Sequence, residues 1–125
     1  MPPTPPEADT DRSADGGGLT AGNPRIKRLR KLITQRKARS QERAFVVEGP
    51  SAVAEAVRAV ATGAGLRPGL SVEALYVERG YHPTVAEAAA AADIPVAPVA
   101  AGVLGSVLDT RTPQPVAAVV VGPPA

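Results

Sequence analysis

Residues 23–49 constrain the fold more than any other part of this chain, because a basic amphipathic helix runs there into an apolar strand. Asn23 is the predicted N-cap of that helix, and Pro24 suits the first helical position, where a missing N–H costs nothing. Four apolar side chains share one face of the helical wheel, and basic side chains cover most of the rest: the apolar ones are Ile26, Leu29, Leu32 and Ile33. One face is therefore expected to pack and the other to be cationic.

This helix is predicted to end near residue 37 or 38, with a polar basic turn at 39–43 and an interior strand at 45–47. A further helix is predicted between the turn at 48–51 and its termination at 63–69, helices are predicted at 83–93 and 100–108, and strands are predicted at 70–78, 94–99 and 116–121. Pro95 and Pro98 cannot donate to a neighbouring strand, so the strand that holds them is expected at a sheet edge, whereas the last strand, apolar throughout, is expected at the centre. The alternation predicts an α/β fold with a mostly parallel sheet covered by helices on both faces.

The two ends of the chain are predicted to lie outside this domain. Residues 1–22 are rich in Pro, Gly and acids, a composition that cannot bury enough apolar area to offset the entropy of ordering, so a disordered tail is expected there. Its acids could screen the basic helix, or the tail could be an inert extension. The domain is then expected at 23–121, and residues 122–125 are expected to begin a linker.

Composition excludes several classes of function. The chain has no cysteine, and His82 is its only histidine, so disulfide frameworks, iron–sulfur clusters and cysteine-based zinc sites are excluded and no metal or cofactor site is expected. No catalytic residues are predicted, because the chain has neither paired carboxylates at usable spacing nor a serine in a nucleophile-elbow motif. Residues 1–22 contain no apolar run of signal-peptide length, and no segment of the chain approaches the roughly 20 apolar residues of a membrane helix, so we expect a cytoplasmic protein without a membrane partner.

Positive charge is concentrated in the first helix and the turn after it. Nine of the fourteen Lys and Arg residues lie between Arg25 and Arg43, and only Glu42 opposes them there, whereas the chain from residue 44 onward is mildly acidic. Like-charge neighbours such as Lys27 and Lys31 destabilise a helix by roughly 0.2–0.5 kcal/mol per pair, so the concentration of positive charge lowers the stability of this helix. The pattern favours an anionic partner, with nucleic acid as the leading interpretation; a solvated face, an acidic protein and a membrane surface are the alternatives.

Residue types refine this interpretation. Arginine outnumbers lysine six to three in the basic stretch, and guanidinium forks suit phosphate oxygens and stacking on exposed bases, which weakly favours RNA over DNA. Aromatic residues are few, which argues against a sheet face that reads bases. The turn at 48–51 could bind an anion at a helix N-terminus, although ordinary turn chemistry also explains it, and the polar loop at 109–115 could donate to phosphate or ribose.

Several segments together resemble the N-terminal substrate-binding domain of SpoU/TrmH-type RNA ribose 2′-O-methyltransferases. They are NPRIKRLRKL, RKARSQERAFVVEG, VEALYV, PVAPV with the short helix after it, and DTRTPQPVAAVV, and the resemblance runs from about residue 23 to 121. It implies a three-layer α/β/α sandwich similar to kink-turn-binding ribosomal proteins. It also implies that this region binds structured RNA, for which ribosomal RNA is the leading interpretation and transfer RNA the alternative.

In that family a following SPOUT domain binds S-adenosylmethionine and transfers a methyl group to a ribose 2′-hydroxyl. The catalytic motifs of that domain have no counterpart before Ala125, so the chain alone is expected to be catalytically inactive, and a homodimer would form through the catalytic domain. The charge pattern and the resemblance together assign RNA contacts to the basic stretch, the turn after the first strand and the T-P-Q loop around Pro113. The assigned residues are Arg25, Lys27, Arg28, Arg30, Lys31, Arg36, Lys37, Arg39, Glu48, Gly49, Thr112 and Gln114.

Three hypotheses follow for the function of the chain. The first is the RNA-recognition domain of such a methyltransferase, which binds RNA and does not catalyse. The second is a free-standing kink-turn RNA-binding protein of the ribosomal-protein type. The third is an interaction module whose basic helix serves folding or dimerisation.

Overall fold

The structure, a computed structural model, describes residues 18–63, 69–108 and 115–122. The described residues form five helices and four strands. In chain order they are α1 (Pro24–Thr34), α2 (Arg36–Glu42), β1 (Ala44–Glu48), α3 (Pro50–Thr62), β2 (Ser71–Glu78), α4 (Pro83–Ala91), β3 (Val96–Val99), α5 (Val103–Val107) and β4 (Val116–Val121). The helices and strands predicted from the sequence are confirmed in type and order, and α2 is the one element that was not predicted.

The four strands form one sheet in the order β1-β4-β2-β3. β2 and β3 are parallel, whereas β4 is antiparallel to both of its neighbours. The sheet is therefore mixed, and the predicted mostly parallel sheet is wrong. The reason lies in α5, whose five residues span only about 7.5 Å, while the six residues of β4 span about 20 Å. A helix that short is not a crossover helix, and β4 starts at the end of the sheet where β3 finishes.

Insertion of β4 between β1 and β2 also decides which strands lie at the edges. β4 is central and β3 lies at an edge, as predicted, but β1 pairs with β4 alone and is an outer strand rather than the predicted interior one. At the opposite edge, Leu19 forms a parallel bridge beside β3: its N–H donates to the Pro98 oxygen and its oxygen accepts from the Ala100 N–H, both at 2.9 Å. Gly18 permits this approach, since a Cβ there would lie 2.6 Å from the Ala100 nitrogen.

These contacts of Leu19 lie inside the segment that composition assigned to the N-terminal tail. The domain boundary at residue 23 stays a prediction, but the described chain already joins the sheet four residues earlier. Residues 1–17 and 123–125 lie outside the described ranges.

Helices cover both faces of the sheet, which confirms the three-layer α/β/α arrangement. On one face α1, α2 and α5 pack against a core of alternating strand residues that includes Val119, Tyr76 and Val99. On the other face α3 and α4 pack against a second core that includes Val116 and Leu75. The basic stretch thus lies entirely in one layer, on the outer side of the first core.

Candidate RNA-binding surface

The buried side of α1 fixes which of its basic side chains point to solvent. Asn23 begins the helix, because its Oδ1 accepts a hydrogen bond of 2.8 Å from the Arg25 N–H. Three apolar side chains of the helix are almost fully buried: Ile26, Leu29 and Leu32. This rotation leaves a cationic face exposed, which consists of Lys27, Arg30 and Lys31. Within the described ranges no side chain of the cationic face forms an ion pair.

Arg28 belongs to the same helix, but its guanidinium group is committed to the fold. Nη1 and Nη2 donate to the two carboxylate oxygens of Glu73 at 2.6 and 3.1 Å, and Nε donates to Glu42 at 2.7 Å. The hydrogen bonds that Arg28 donates to Glu73 chiefly, and then to Glu42, raise its pKa above the ordinary value. A phosphate contact from Arg28 would have to break this network, so its predicted RNA contact is the weakest of those on α1.

A bulge in β2 brings Glu73 within reach of Arg28. The register against β4 shifts between Val72 and Ala74, which leaves Glu73 as the extra residue of the strand. Ala74 packs in the core beneath α1, and the Glu73 carboxylate meets Arg28 on that same side of the sheet. The strict alternation of a regular strand would have sent these two neighbours to opposite faces.

The basic stretch is broken into two helices, contrary to the predicted single helix and turn. Gln35 has extended backbone (φ −122°, ψ 110°), and α2 then occupies most of the predicted turn. Arg39 reaches back from α2 and its Nη1 donates to the oxygens of Leu32 and Ile33 at 2.8 and 3.1 Å. Because the last carbonyls of a helix lack intrahelical partners, Arg39 stabilises the end of α1.

Arg25 is held by a cation–π contact. Its guanidinium carbon lies 5.5 Å from the ring centroid of Tyr76, which is buried on β2. A cation over an aromatic face is attracted by the ring's quadrupole, so the ring fixes the direction of the side chain. Arg25 itself remains exposed beside the start of α1.

The turn after β1 lies close to the end of the basic stretch. Glu48 is half-buried, and its Oε1 has no hydrogen-bond partner within the described part of the chain. Gly49 has a φ of +96°, which glycine adopts without strain, and its N–H donates to the Val116 oxygen at 3.1 Å. Glu48 and Arg39 line one open groove, whose other lining residues are Leu32, Ile33, Phe45 and Val46. The structure therefore brings two of the three predicted contact segments together.

The remaining predicted contacts fall into two groups. Arg36 and Lys37 lie exposed on α2, next to the break in the basic stretch. Thr112 and Gln114, with Pro113 between them, lie outside the described residues, so their RNA contacts stay predictions.

Sequence reasoning missed two residues on this side of the molecule. Arg43 ends α2 in the left-handed region with a φ of +54°, and its oxygen accepts a hydrogen bond of 2.8 Å from the Gly122 N–H. Phe45 is 41% exposed on β1, although the strand was expected inside the sheet. No strand period links the two residues, because Arg43 caps α2 and β1 begins only at Ala44.

This surface offers cationic hydrogen-bond donors on two helices beside an outer strand. No group of three or more metal-ligating side chains occurs within the described ranges. None of the described helices is long and apolar enough to span a bilayer.

Comparison with known proteins assigns this chain to a family. The family model of the MRM3-like substrate binding domain matches residues 23–118. A solved RNA 2′-O ribose methyltransferase is 27% identical over 83% of this chain and 37% of its own length, with a TM-score of 0.59. No curated protein matches the chain in sequence.

Two more distant structures share the fold. An rRNA methyltransferase from Sinorhizobium meliloti is 24% identical over 86% of this chain and 37% of its own, with a TM-score of 0.59. The SpoU methyltransferase AviRb from Streptomyces viridochromogenes, in complex with AdoMet, is 21% identical over 82% of this chain and 36% of its own, also with a TM-score of 0.59.

The chain spans little more than a third of the length of each of these proteins. The family match covers α1 to the middle of β4, which includes the whole cationic face and the turn after β1. The chain therefore belongs to the family of MRM3-like substrate binding domains.

Proposed function

We propose that this domain binds structured RNA and positions it so that a catalytic domain can methylate a ribose 2′-hydroxyl. Ribosomal RNA is the proposed substrate in preference to transfer RNA, since one of the proteins with this fold is an rRNA methyltransferase. The observation that carries the proposal is the cationic face of α1, three exposed basic side chains without an ion pair among the described residues.

The physical argument starts from the position of that charge. Ile26, Leu29 and Leu32 anchor α1 to the sheet, so the cationic face is presented by a rigid element and not by a loop. Unpaired like charges repel one another in the free protein, and phosphate groups relieve this repulsion. The basic side chains in turn replace counterions condensed on the RNA, which are released. Backbone binding of this kind fixes the register of an RNA without reading its bases.

The proposal divides the reaction between two domains. S-adenosylmethionine supplies the methyl group and binds to the catalytic domain, whereas the residues of this chain hold and orient the RNA. Methyl transfer and homodimerisation through the catalytic domain remain predictions that follow from this division, and the cytoplasmic location remains a prediction from the sequence.

Charge reversal on the cationic face tests the proposal. Fluorescence anisotropy with a labelled rRNA hairpin would be measured for the full chain and for the triple variant Lys27→Glu, Arg30→Glu, Lys31→Glu. We expect affinity to fall about 100-fold, because three charge-assisted contacts of about 1 kcal/mol or more are lost. The melting temperature should not fall, since the three side chains support no other described residue.

A matched single reversal controls for net charge. Arg58 is exposed on α3, in the opposite layer of the sandwich, so Arg58→Glu should weaken binding much less than Lys31→Glu does. Equal losses for these two variants would contradict a defined RNA surface on α1. Tighter binding of a tRNA transcript than of the rRNA hairpin would contradict the preference for ribosomal RNA.

A further inference from the structure

Phe45 is an aromatic side chain that the fold leaves at the surface. It is the only phenylalanine of the chain, and 41% of it is exposed. It lies on β1, which pairs with β4 on its inner side and has no neighbouring strand on its outer side within the described ranges. An open strand edge with an exposed aromatic ring provides apolar surface that a ligand can cover.

The groove beside Phe45 is lined by arginines. Arg36, Arg39 and Arg43 lie on its α2 side, and Phe45, Leu70 and Gly122 are among the residues that complete it. Among the described residues no acidic side chain lines it, in contrast to the neighbouring groove that contains Glu48. The combination of an aromatic residue and several guanidinium groups matches the chemistry of a nucleotide, which has a flat base and an anionic phosphate.

Two parts of this groove are fixed before any ligand arrives. The Arg39 guanidinium is held by its hydrogen bonds to the Leu32 and Ile33 oxygens. The backbone of Arg43 is held by its hydrogen bond with Gly122, which joins the end of α2 to the end of β4. A binding groove that is already ordered loses less conformational entropy when it is occupied.

We propose that this groove binds one unpaired nucleotide of the RNA, with its base stacked on Phe45 and its phosphate beside Arg36 and Arg43. The inference rests on the proposed function and extends it from backbone contacts to a base contact. A base inside a helix is stacked on its neighbours, so only a nucleotide in a loop, a bulge or a strand end can enter. The scarcity of aromatic residues argues against a sheet face that reads several bases, and the proposal accordingly places one stacking position at the edge of the sheet.

Conservative variants of Phe45 test the stacking. Phe45→Leu keeps an apolar side chain of similar size but removes the flat ring, whereas Phe45→Trp keeps a flat ring. With the labelled rRNA hairpin, Phe45→Leu should weaken binding about 10-fold and Phe45→Trp should bind at least as tightly as the natural protein. The salt dependence of binding should not change in either variant, because no charge is altered. Pairing the loop nucleotides with a complementary strand should abolish the difference between the variants.

Photocrosslinking of the natural protein gives a readout that does not depend on a variant's folding. 5-Iodouridine placed at each loop position in turn should crosslink at one position to Phe45, identified by mass spectrometry of the peptide. Circular dichroism shows whether Phe45→Leu is folded. If this variant is unfolded, the crosslink of the natural protein tests the proposal by itself.

The outcomes separate this inference from the proposed function. If Phe45→Leu binds like the natural protein and no crosslink forms at Phe45, while reversal of the cationic face removes binding, the nucleotide groove is wrong and the RNA-binding function stands. If neither change affects binding, both are wrong. A shift of oligomeric state in Phe45→Leu, seen by light scattering without a change in RNA affinity, would show that the groove binds protein and would overturn the inference.

Discussion

Arg28 and Arg30 lie two residues apart on α1, and their guanidinium groups have different surroundings. Arg28 donates to Glu73 and Glu42 through all three of its side-chain nitrogens. Arg30 is exposed, and its guanidinium group has no carboxylate partner within the described part of the chain. The same contrast recurs on α2, where Arg39 binds the carbonyls that end α1 and Arg36 is exposed.

The contrast shows that a run of like charges can contain two classes of residue. One class stabilises the junction of α1, α2 and β2, and the other is left free for a ligand. Because the two classes alternate along the chain, charge density alone cannot separate them. Substitutions at matched positions can separate them, since one class should affect stability and the other RNA affinity.

The largest effect on stability is expected for Arg28. Arg28→Ala should lower the free energy of unfolding by about 1.5 kcal/mol, because it removes a forked contact with Glu73 and a second contact with Glu42. Arg30→Ala should change it by less than about 0.5 kcal/mol, as is usual for an exposed unpaired side chain. Urea denaturation of the two variants measures this difference.

The loss of RNA affinity should be larger for Arg30→Ala than for Arg28→Ala, the reverse of their effects on stability. Arg30→Ala should weaken binding about fivefold, since one charge-assisted phosphate contact is lost, and Arg28→Ala should leave it nearly unchanged under conditions where the protein is folded. A weaker RNA complex for Arg28→Ala than for Arg30→Ala would mean that the ion pairs open when RNA binds.

A smaller effect is expected for Arg39. Arg39→Ala leaves the Leu32 and Ile33 carbonyls without their side-chain donor, which should lower the free energy of unfolding by about 1 kcal/mol. Arg36→Ala is the matched control, and its effect on stability should stay within about 0.5 kcal/mol. Hydrogen exchange of the last turn of α1 should rise in Arg39→Ala alone, and equal exchange in both variants would contradict a capping role.

Local patterns in the sequence predicted much of this fold because they reflect local physics. The N-cap at Asn23, the buried stripe of α1 and the edge position of the strand with Pro95 and Pro98 each follow from a few neighbouring residues, and the structure confirms them. The prediction of a mostly parallel sheet was wrong because β4 runs antiparallel to its neighbours. The direction of β4 is a property of the whole connection between β3 and β4, and no local pattern of residues encodes it.

The contacts of the candidate site were harder to predict from the sequence. The Glu73 bulge breaks the two-residue period that strand prediction assumes, so the partner of Arg28 could not be seen in the pattern. The exposure of Phe45 depends on which strand inserts beside β1, and that strand lies about 70 residues further along the chain. The loop with Thr112 and Gln114 lies outside the described residues and stays a prediction.

The salt dependence of RNA binding tests the central claim most directly. It would be measured for the natural chain, for the neutralised cationic face (Lys27→Gln, Arg30→Gln, Lys31→Gln) and for the double variant Arg28→Gln, Arg39→Gln. The slope of log K against log salt should become shallower by about 2 to 3 when the cationic face is neutralised, because three phosphate contacts no longer release counterions. The double variant should keep the slope of the natural chain and lose thermal stability instead. Equal slopes for the natural chain and the neutralised cationic face would contradict the account.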